Sequence, residues 1–303
     1  MYEQIDCSDH ACLSAIDRAI SSLQRDWPRY IYDFQNHIPF LFASDYSGQN
    51  DDSGWESYSF LVTDQEAIEL WAETFHRSTT YKRLNGREMK FAKLRGDRVR
   101  RDTLLQFLDL VADIRGHIVT FSFEKTAGGL HSESNLLLEV AKENLPSVNS
   151  DSSARNIVTV STLAAFISAG FGRRNPHHIW LTDRDETVDR PQRYDELMKL
   201  TEIFIGMFAA NHEIRRANAY DEKDERGPSF TKEVISICDL FAGAARKLGS
   251  KNFPTARATP DDDIGEILSM TRYCNSPLRP IFLRTFRTDA GGNRSALTVP
   301  DRV

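Results

Sequence analysis

Ile38-Pro39-Phe40-Leu41-Phe42-Ala43-Ser44-Asp45 is a short apolar run that stops at a hydroxyl and an acid. Its length, and the turn residues behind it (Ser47-Gly48, then Asp51 to Gly54), favour a buried strand over a helix. Tyr58 to Val62 reads as a second strand, and the short link between the two predicts a hairpin. Thr63-Asp64 then caps a helix holding Ile68, Leu70, Trp71 and Phe75. Upstream, Leu13, Ile16, Ile20 and Leu23 recur at helical spacing within residues 11–24.

Downstream, Asn85-Gly86 is a tight-turn signal, and Glu88-Met89-Lys90-Phe91 alternates with period two, as a third strand would. Gly96-Asp97 opens a long helix through Arg115, with Gly116 as its C-terminal glycine. His117 to Lys125 is the clearest β-type run in the chain. Helices are predicted near 133–145 and 157–169, around a polar loop from Ser147 to Ser153. Ile179-Trp180-Leu181 is a brief strand ending in Thr182-Asp183, and a helix covers Pro191 to Ala210. Arg215 to Pro228, dense in charge, reads as an exposed loop. Helices at 231–248 and 262–272 and a closing hairpin (Ile281 to Phe286, Ser295 to Val299) complete the chain. Hairpin strands followed by strands joined through helices predict an α/β mixed sheet flanked by helices. The division expected is a helical extension over 1–36, a core over 37–249 and a helix-and-hairpin extension over 250–303.

With 303 residues, 40% of them apolar, the chain can bury a large core. No window approaches the run of roughly 18 to 20 apolar residues that a membrane span needs. Asp6, Asp9, Asp17 and Arg18 break up any leader-like run at the start. Cys7, Cys12, Cys238 and Cys274 lack Cys-x-x-Cys spacing, which argues against a zinc ribbon or a disulfide scaffold. A cytoplasmic protein without a membrane partner is therefore expected. The net charge is −6, yet Lys82 to Arg101 carries nine basic and two acidic residues, a +7 strip that leaves the rest at −13. That strip reads either as the site of an anionic partner or as a solvated helix-flanking surface.

Two carboxylates hold equivalent positions, since Asp45 and Asp183 each follow an apolar run and a hydroxyl residue at a strand end. In open α/β sheets, ligands gather outside the carboxyl ends of strands. If the two strands are parallel neighbours, the carboxylates lie close, and like charges that close need a cation or a proton between them. Hard divalent cations take oxygen ligands of this kind. The alternative is a pair of ordinary strand-end aspartates bonding to local turns. Asp239 stands in an apolar stretch with Ser236, Ala242 and Gly243 beside it, small enough to let a helix approach a sheet end. Lys232, Ser236, Asp239, Gly243 and Arg246 also share one helical stripe, which would turn Asp239 to water. Gly128-Gly129 and Gly291-Gly292 lack the pattern of a phosphate loop, and no Gly-x-Ser-x-Gly elbow is present. His177-His178 fits packing or capping better than ligation, and Cys238 reads as an inert buried thiol.

Asp45-Tyr46-Ser47-Gly48 resembles the Asp-Glu-Ser-Gly motif that opens the bacterial domain-of-unknown-function 3800 family. Glu88-Met89-Lys90 is similar to its Glu-x-Lys element, and Glu124-Lys125 falls where the family has a lysine closing its central strand. Asp183 matches its late-strand aspartate, and Ile237-Cys238-Asp239-Leu240-Phe241-Ala242-Gly243 resembles its Leu-Ala-Asp-Leu-Ile-Ala-Gly signature. The likeness covers roughly residues 38 to 248, in order. The chain departs from it at Tyr46 in place of the second acid, at Ser236 and Cys238 in the helix signature, and in its terminal segments.

The resemblance implies an RNase H-like fold whose acids bind one or two Mg²⁺ or Mn²⁺ ions and hydrolyse DNA or RNA. Asp45 would bridge the ions, Asp183 and Asp239 would each hold one, and Glu88 (or Glu124 or Asp185 in its place) would complete the shell. Lys90, Lys93, Arg95 and Arg98 would then grip the nucleic-acid backbone. The rival reading is an inactive RNase H-like binding module in a bacterial defence or mobile-element system. A partner protein or a homo-oligomer is open under either.

Overall fold

The computed structural model describes the chain apart from residues 1, 8–9, 35–37, 49–53, 126–129, 131–135, 146–151, 173–174, 184–190, 210–215, 222–226, 250–275, 288–292 and 299–303. Strands β1 (Phe40–Ser47), β2 (Trp55–Asp64) and β3 (Gly116–Glu124) form an antiparallel meander. β4 (His177–Thr182) runs parallel to β1, and β5 (Arg216–Asp221) runs parallel to β4. β6 (Leu278–Arg287) lies parallel to β3 and pairs antiparallel with β7 (Asn293–Thr298). The result is one seven-stranded mixed sheet in the order β5-β4-β1-β2-β3-β6-β7, the α/β architecture that the sequence predicts.

Both faces of the sheet are covered, so its central strands are buried nearly throughout instead of alternating between buried and exposed. Phe40, Phe42, Tyr58, Phe60 and Phe121 face one core, under α1 (Ala11–Asp26), α5 (Leu136–Asn144), α6 (Ser152–Phe171) and α7 (Pro191–Phe208). Leu41, Ala43, Leu61, Ile118 and Leu181 face the other, under α2 (Gln65–Arg77), α4 (Arg98–Ala112) and α8 (Thr231–Gly249). Among the described residues, no helix is long and apolar enough to cross a membrane.

Several local expectations change. Residues 88–90 are not a strand, and Phe91–Lys93 is a 3-10 turn. The alternation is real, because Met89, Phe91 and Leu94 are buried, but they pack on the α8 side of the sheet with no strand beside them. Asn85 and Gly86 (φ 51° and 76°) end a helix the sequence reading missed, α3 (Thr79–Leu84), and do not turn a hairpin. Gly116 is no helix cap. α4 stops at Ala112, and Gly116 opens β3 where a Cβ would stand 2.3 Å from the Val62 carbonyl oxygen. Residues 216–221 form edge strand β5 instead of a loop, since an edge needs only one paired neighbour and tolerates charge. The helix expected at 262–272, the loop expected from Ser147 and both Gly-Gly pairs lie wholly or mainly outside the described residues.

The terminal segments are stitched to the sheet. Tyr30 and Tyr32 donate their hydroxyls to the Pro280 and Pro277 carbonyls, each at 2.7 Å. The Tyr32 N–H donates to Nε2 of His117 at 3.0 Å, and the Arg279 carbonyl lies 3.3 Å from its Nδ1. Burial pushes His117 down to about 3, so the ring stays neutral and can accept at one nitrogen while donating at the other.

Asp64 shows how a strand is handed on to a helix. It is 2% exposed, its Oδ1 accepts from the Ala67 N–H at 2.9 Å, and its Oδ2 binds the Arg115 guanidinium. Asp64→Ala removes an N-cap and a half-exposed ion pair, and should cost about 1–2 kcal/mol. Urea denaturation checks this, and an unchanged midpoint would contradict the assignment.

Candidate functional site

The parallel pairing of β1 with β4 runs to Ser44 opposite Thr182, and the Asp183 N–H donates to the Ser44 carbonyl at 3.4 Å. Asp45 and Asp183 are thus side by side, one residue beyond the last pair, on strands about 4.8 Å apart. Alternation does the rest. Ala43 and Leu181 face α8, so the residues two further on face it as well. β1 is also where the strand order changes direction, with parallel β4 on one side and antiparallel β2 on the other.

α8 lies close on this face because its contact residues are small. The Cys238 thiol reaches the Ala43 carbonyl at 3.4 Å. At Gly243 a Cβ would stand 2.4 Å from the Phe91 ring, so the 3-10 turn can settle directly on the helix. Asp239 is consequently half-buried against residues 88–94. Its Oδ2 accepts from the Phe91 N–H, while Oδ1 of Asp45 accepts from the Tyr46 N–H at 2.5 Å. The stripe from Lys232 to Arg246, which allowed a solvent-facing Asp239, is covered by residues 88–94 around Ser236, Asp239 and Gly243.

The three acids feel one another. Burial first, then the Asp239 and Asp183 charges, push the Asp45 carboxyl well above the usual carboxylate range, against the Tyr46 N–H and the Lys90 ammonium. Burial raises Asp239 to about 6, with Asp183 adding to the rise, while the Phe91 N–H, Lys90 and Arg246 oppose it. The arrangement brings two strand-end carboxylates and a helix carboxylate together with one lysine. Among the described residues, no group of three or more His, Cys, Asp or Glu side chains is drawn together closely enough to hold a metal ion. Beside Asp45 on the same face, buried hydroxyls pair across the strands: Ser59 with Thr120 at 3.1 Å, and Ser57 with Ser122 at 2.8 Å.

Glu88 turns elsewhere. It pairs with Lys90 at 3.2 Å, and that lysine in turn acts on Asp45 and Asp239. Glu124 ends β3 beside Trp55, two strands away from β1, and Asp185 lies outside the described residues. Sequence reasoning missed Arg246, although its place on the Asp239 stripe was the available signal.

The departure at Tyr46 falls on the opposite face. Its hydroxyl meets Ser44 and Thr182, each at 2.8 Å, and Trp180 Nε1 donates to Ser44 at 2.9 Å. A second acid at that position would point away from Asp45. The basic strip is partly spent inside the protein. Arg100 binds Asp97 and the Glu88 carbonyl, Arg87 binds Asp97, and Arg98 binds Asp102. Lys93 and Arg95 are exposed beside the site. His178 is a core residue held between Ser168 (2.5 Å) and the Gly172 carbonyl (2.9 Å), and burial lifts the Cys238 thiol well above its ordinary range. Neither a protein-family model nor a curated protein sequence matches the chain.

Proposed function

We propose that this protein is a divalent-metal-dependent nuclease that hydrolyses phosphodiester bonds of DNA or RNA on an RNase H-like core. One observation carries the reading: Asp45 and Asp183 end two parallel strands side by side on the face under the helix that bears Asp239, and burial first, then neighbouring carboxylates, oppose ionisation of Asp45 and Asp239. Such an all-oxygen, like-charged set fits Mg²⁺ or Mn²⁺, with Asp45, Asp183 and Asp239 as the residues that would hold it. When bound, the ion supplies neutralisation of the phosphate and activation of a water for in-line attack. The chain's own part is to fix those carboxylates through the Tyr46 and Phe91 N–H groups, and to offer Lys90, Lys93 and Arg95 to the flanking phosphates. Antiparallel hairpin strands joined to parallel strands in one sheet support the RNase H-like assignment. The buried Cys7, Cys12 and Cys238, which form no disulfide, accord with the cytoplasmic setting proposed for it.

The second reading, a binding module on the same fold without chemistry, is favoured by Glu88. Its carboxylate is engaged with Lys90, which leaves three acids where the resemblance implies four.

Cleavage of labelled single- and double-stranded DNA and RNA with Mg²⁺ or Mn²⁺ tests the proposal. Loss of cutting in Asp239→Asn, with the fold intact, supports it. The wild type should also melt higher with either ion, by about 2–3 kcal/mol at a hundredfold excess over Kd, or several degrees. A melting temperature indifferent to both ions would favour the binding module.

A further inference from the structure

A cavity of about 60 Å³ opens between α2, α3, α4, the N-terminal part of α8 and residues 86–89. That is room for roughly four to six waters, or for one flat heterocycle, and too little for a folded peptide segment. Its floor is apolar, made of the buried Phe75, Phe107 and Met89, with the Tyr81 ring as a wall. Lys232 and Arg87 stand at the rim as exposed cations. Among these groups sits a carboxylate half-used. Glu233 Oε1 lies 3.5 Å from His76 Nε2, while its Oε2 is buried and, among the described residues, has no hydrogen-bond partner.

An aromatic floor, a cationic rim and one waiting acceptor together match a nucleotide. The ring would stack, the phosphate would meet Arg87 or Lys232, and Glu233 would take a hydrogen from the edge of the base. The cavity is also linked to the acids through α8 and residues 88–90. Ser236 lines it and Asp239 follows three residues later, about 4.5 Å along the helix. Glu88 lines it too, and its partner Lys90 acts on Asp45 and Asp239.

We propose that this cavity receives one nucleobase bearing an exocyclic amine (adenine, cytosine or guanine), carried by the nucleotide next to the bond held at the carboxylates. The position relative to that bond rests on the nuclease reading; the base site itself does not. Uracil and thymine are disfavoured because carbonyl oxygens flank their one ring N–H and would face Glu233 Oε2.

Titration of the intact protein with AMP, CMP, GMP and UMP, followed by intrinsic fluorescence and by NMR, tests this directly. The three amine-bearing nucleotides should bind about tenfold more tightly than UMP, the step expected of one charge-assisted hydrogen bond. Glu233→Gln should bring that ratio towards one, since an amide both donates and accepts, and Tyr81→Ala should weaken all four. Circular dichroism melts verify that both variants fold. Equal affinity for UMP, no binding of any nucleotide, or an unchanged ratio in Glu233→Gln overturns the proposal. Nucleotide binding with this preference but no cutting of oligonucleotides leaves the base site standing and removes the nuclease. Cutting without base preference or nucleotide binding does the reverse.

Discussion

Replacing Asp45 with asparagine should cut divalent-metal-dependent cleavage on the order of a thousandfold and, in metal-free buffer at pH 7, raise the melting temperature. The two changes have one cause. Asp45 is 5% exposed and faces two further carboxylates, so its charge is a burden on the folded state unless a cation relieves it. Asparagine keeps the oxygen that accepts the Tyr46 N–H and drops the charge. A stabilisation of about 1–3 kcal/mol is expected without metal, read by urea denaturation. The gain should shrink in acid. Asp239 is raised to about 6, so between about pH 4 and 6 the folded state holds a proton that the unfolded chain has released. The site's unfavourable contribution therefore grows as pH rises through that window, and relaxes as pH falls back. Metal binding should tighten over the same rise, because protons and cations compete for these oxygens. A metal-free Asp45→Asn protein less stable than wild type at pH 7 would mean that the acids are held by compensating contacts and do not strain against one another.

Gly243→Ala should lower cleavage by about a hundredfold while leaving stability nearly level. The Cβ would fall 2.4 Å from two atoms of the Phe91 ring and 2.8 Å from its Cβ, so rotating the ring is no escape and the 3-10 turn must move. That turn brings the N–H bound by Asp239, and Lys90 directly precedes it. A displacement of an ångström at catalytic groups costs rates of that order. In stability, an overpacking cost of about 1–3 kcal/mol is partly offset by the roughly 1 kcal/mol that alanine gains over glycine within a helix. Full activity in Gly243→Ala would show that the contact with Phe91 does not hold the site.

How much of this could be read from residues alone depends on what decided each feature. β1, β2, β3 and the Asp64 cap were legible because burial length, β-branched and aromatic content and capping chemistry are local signals. The strand-end positions of Asp45 and Asp183 were legible too, but their adjacency only on the condition that the two strands be parallel neighbours, which the pairing of β1 with β4 meets. The 88–91 segment misled because alternation reports which residues are buried and says nothing of what buries them, here α8 instead of a neighbouring strand. Gly116 misled because its small size serves a close approach of β2, which a helix-ending glycine does not reveal from sequence. β5 was hidden by its charge, and Arg246 by lying on a stripe that seemed to face water. The Glu233 cavity left no sequence signal, because its walls come from four helices and the segment 86–89.

The carboxylates come from positions 45, 183 and 239, and β4 must close on β1 across more than a hundred intervening residues before the first two meet. Contacts so far apart in sequence form late and slowly. On the nuclease reading, the growing polypeptide could not assemble its site until the segment containing Asp239 had left the ribosome and docked. The order of synthesis would then by itself delay the proposed chemistry to the finished copy.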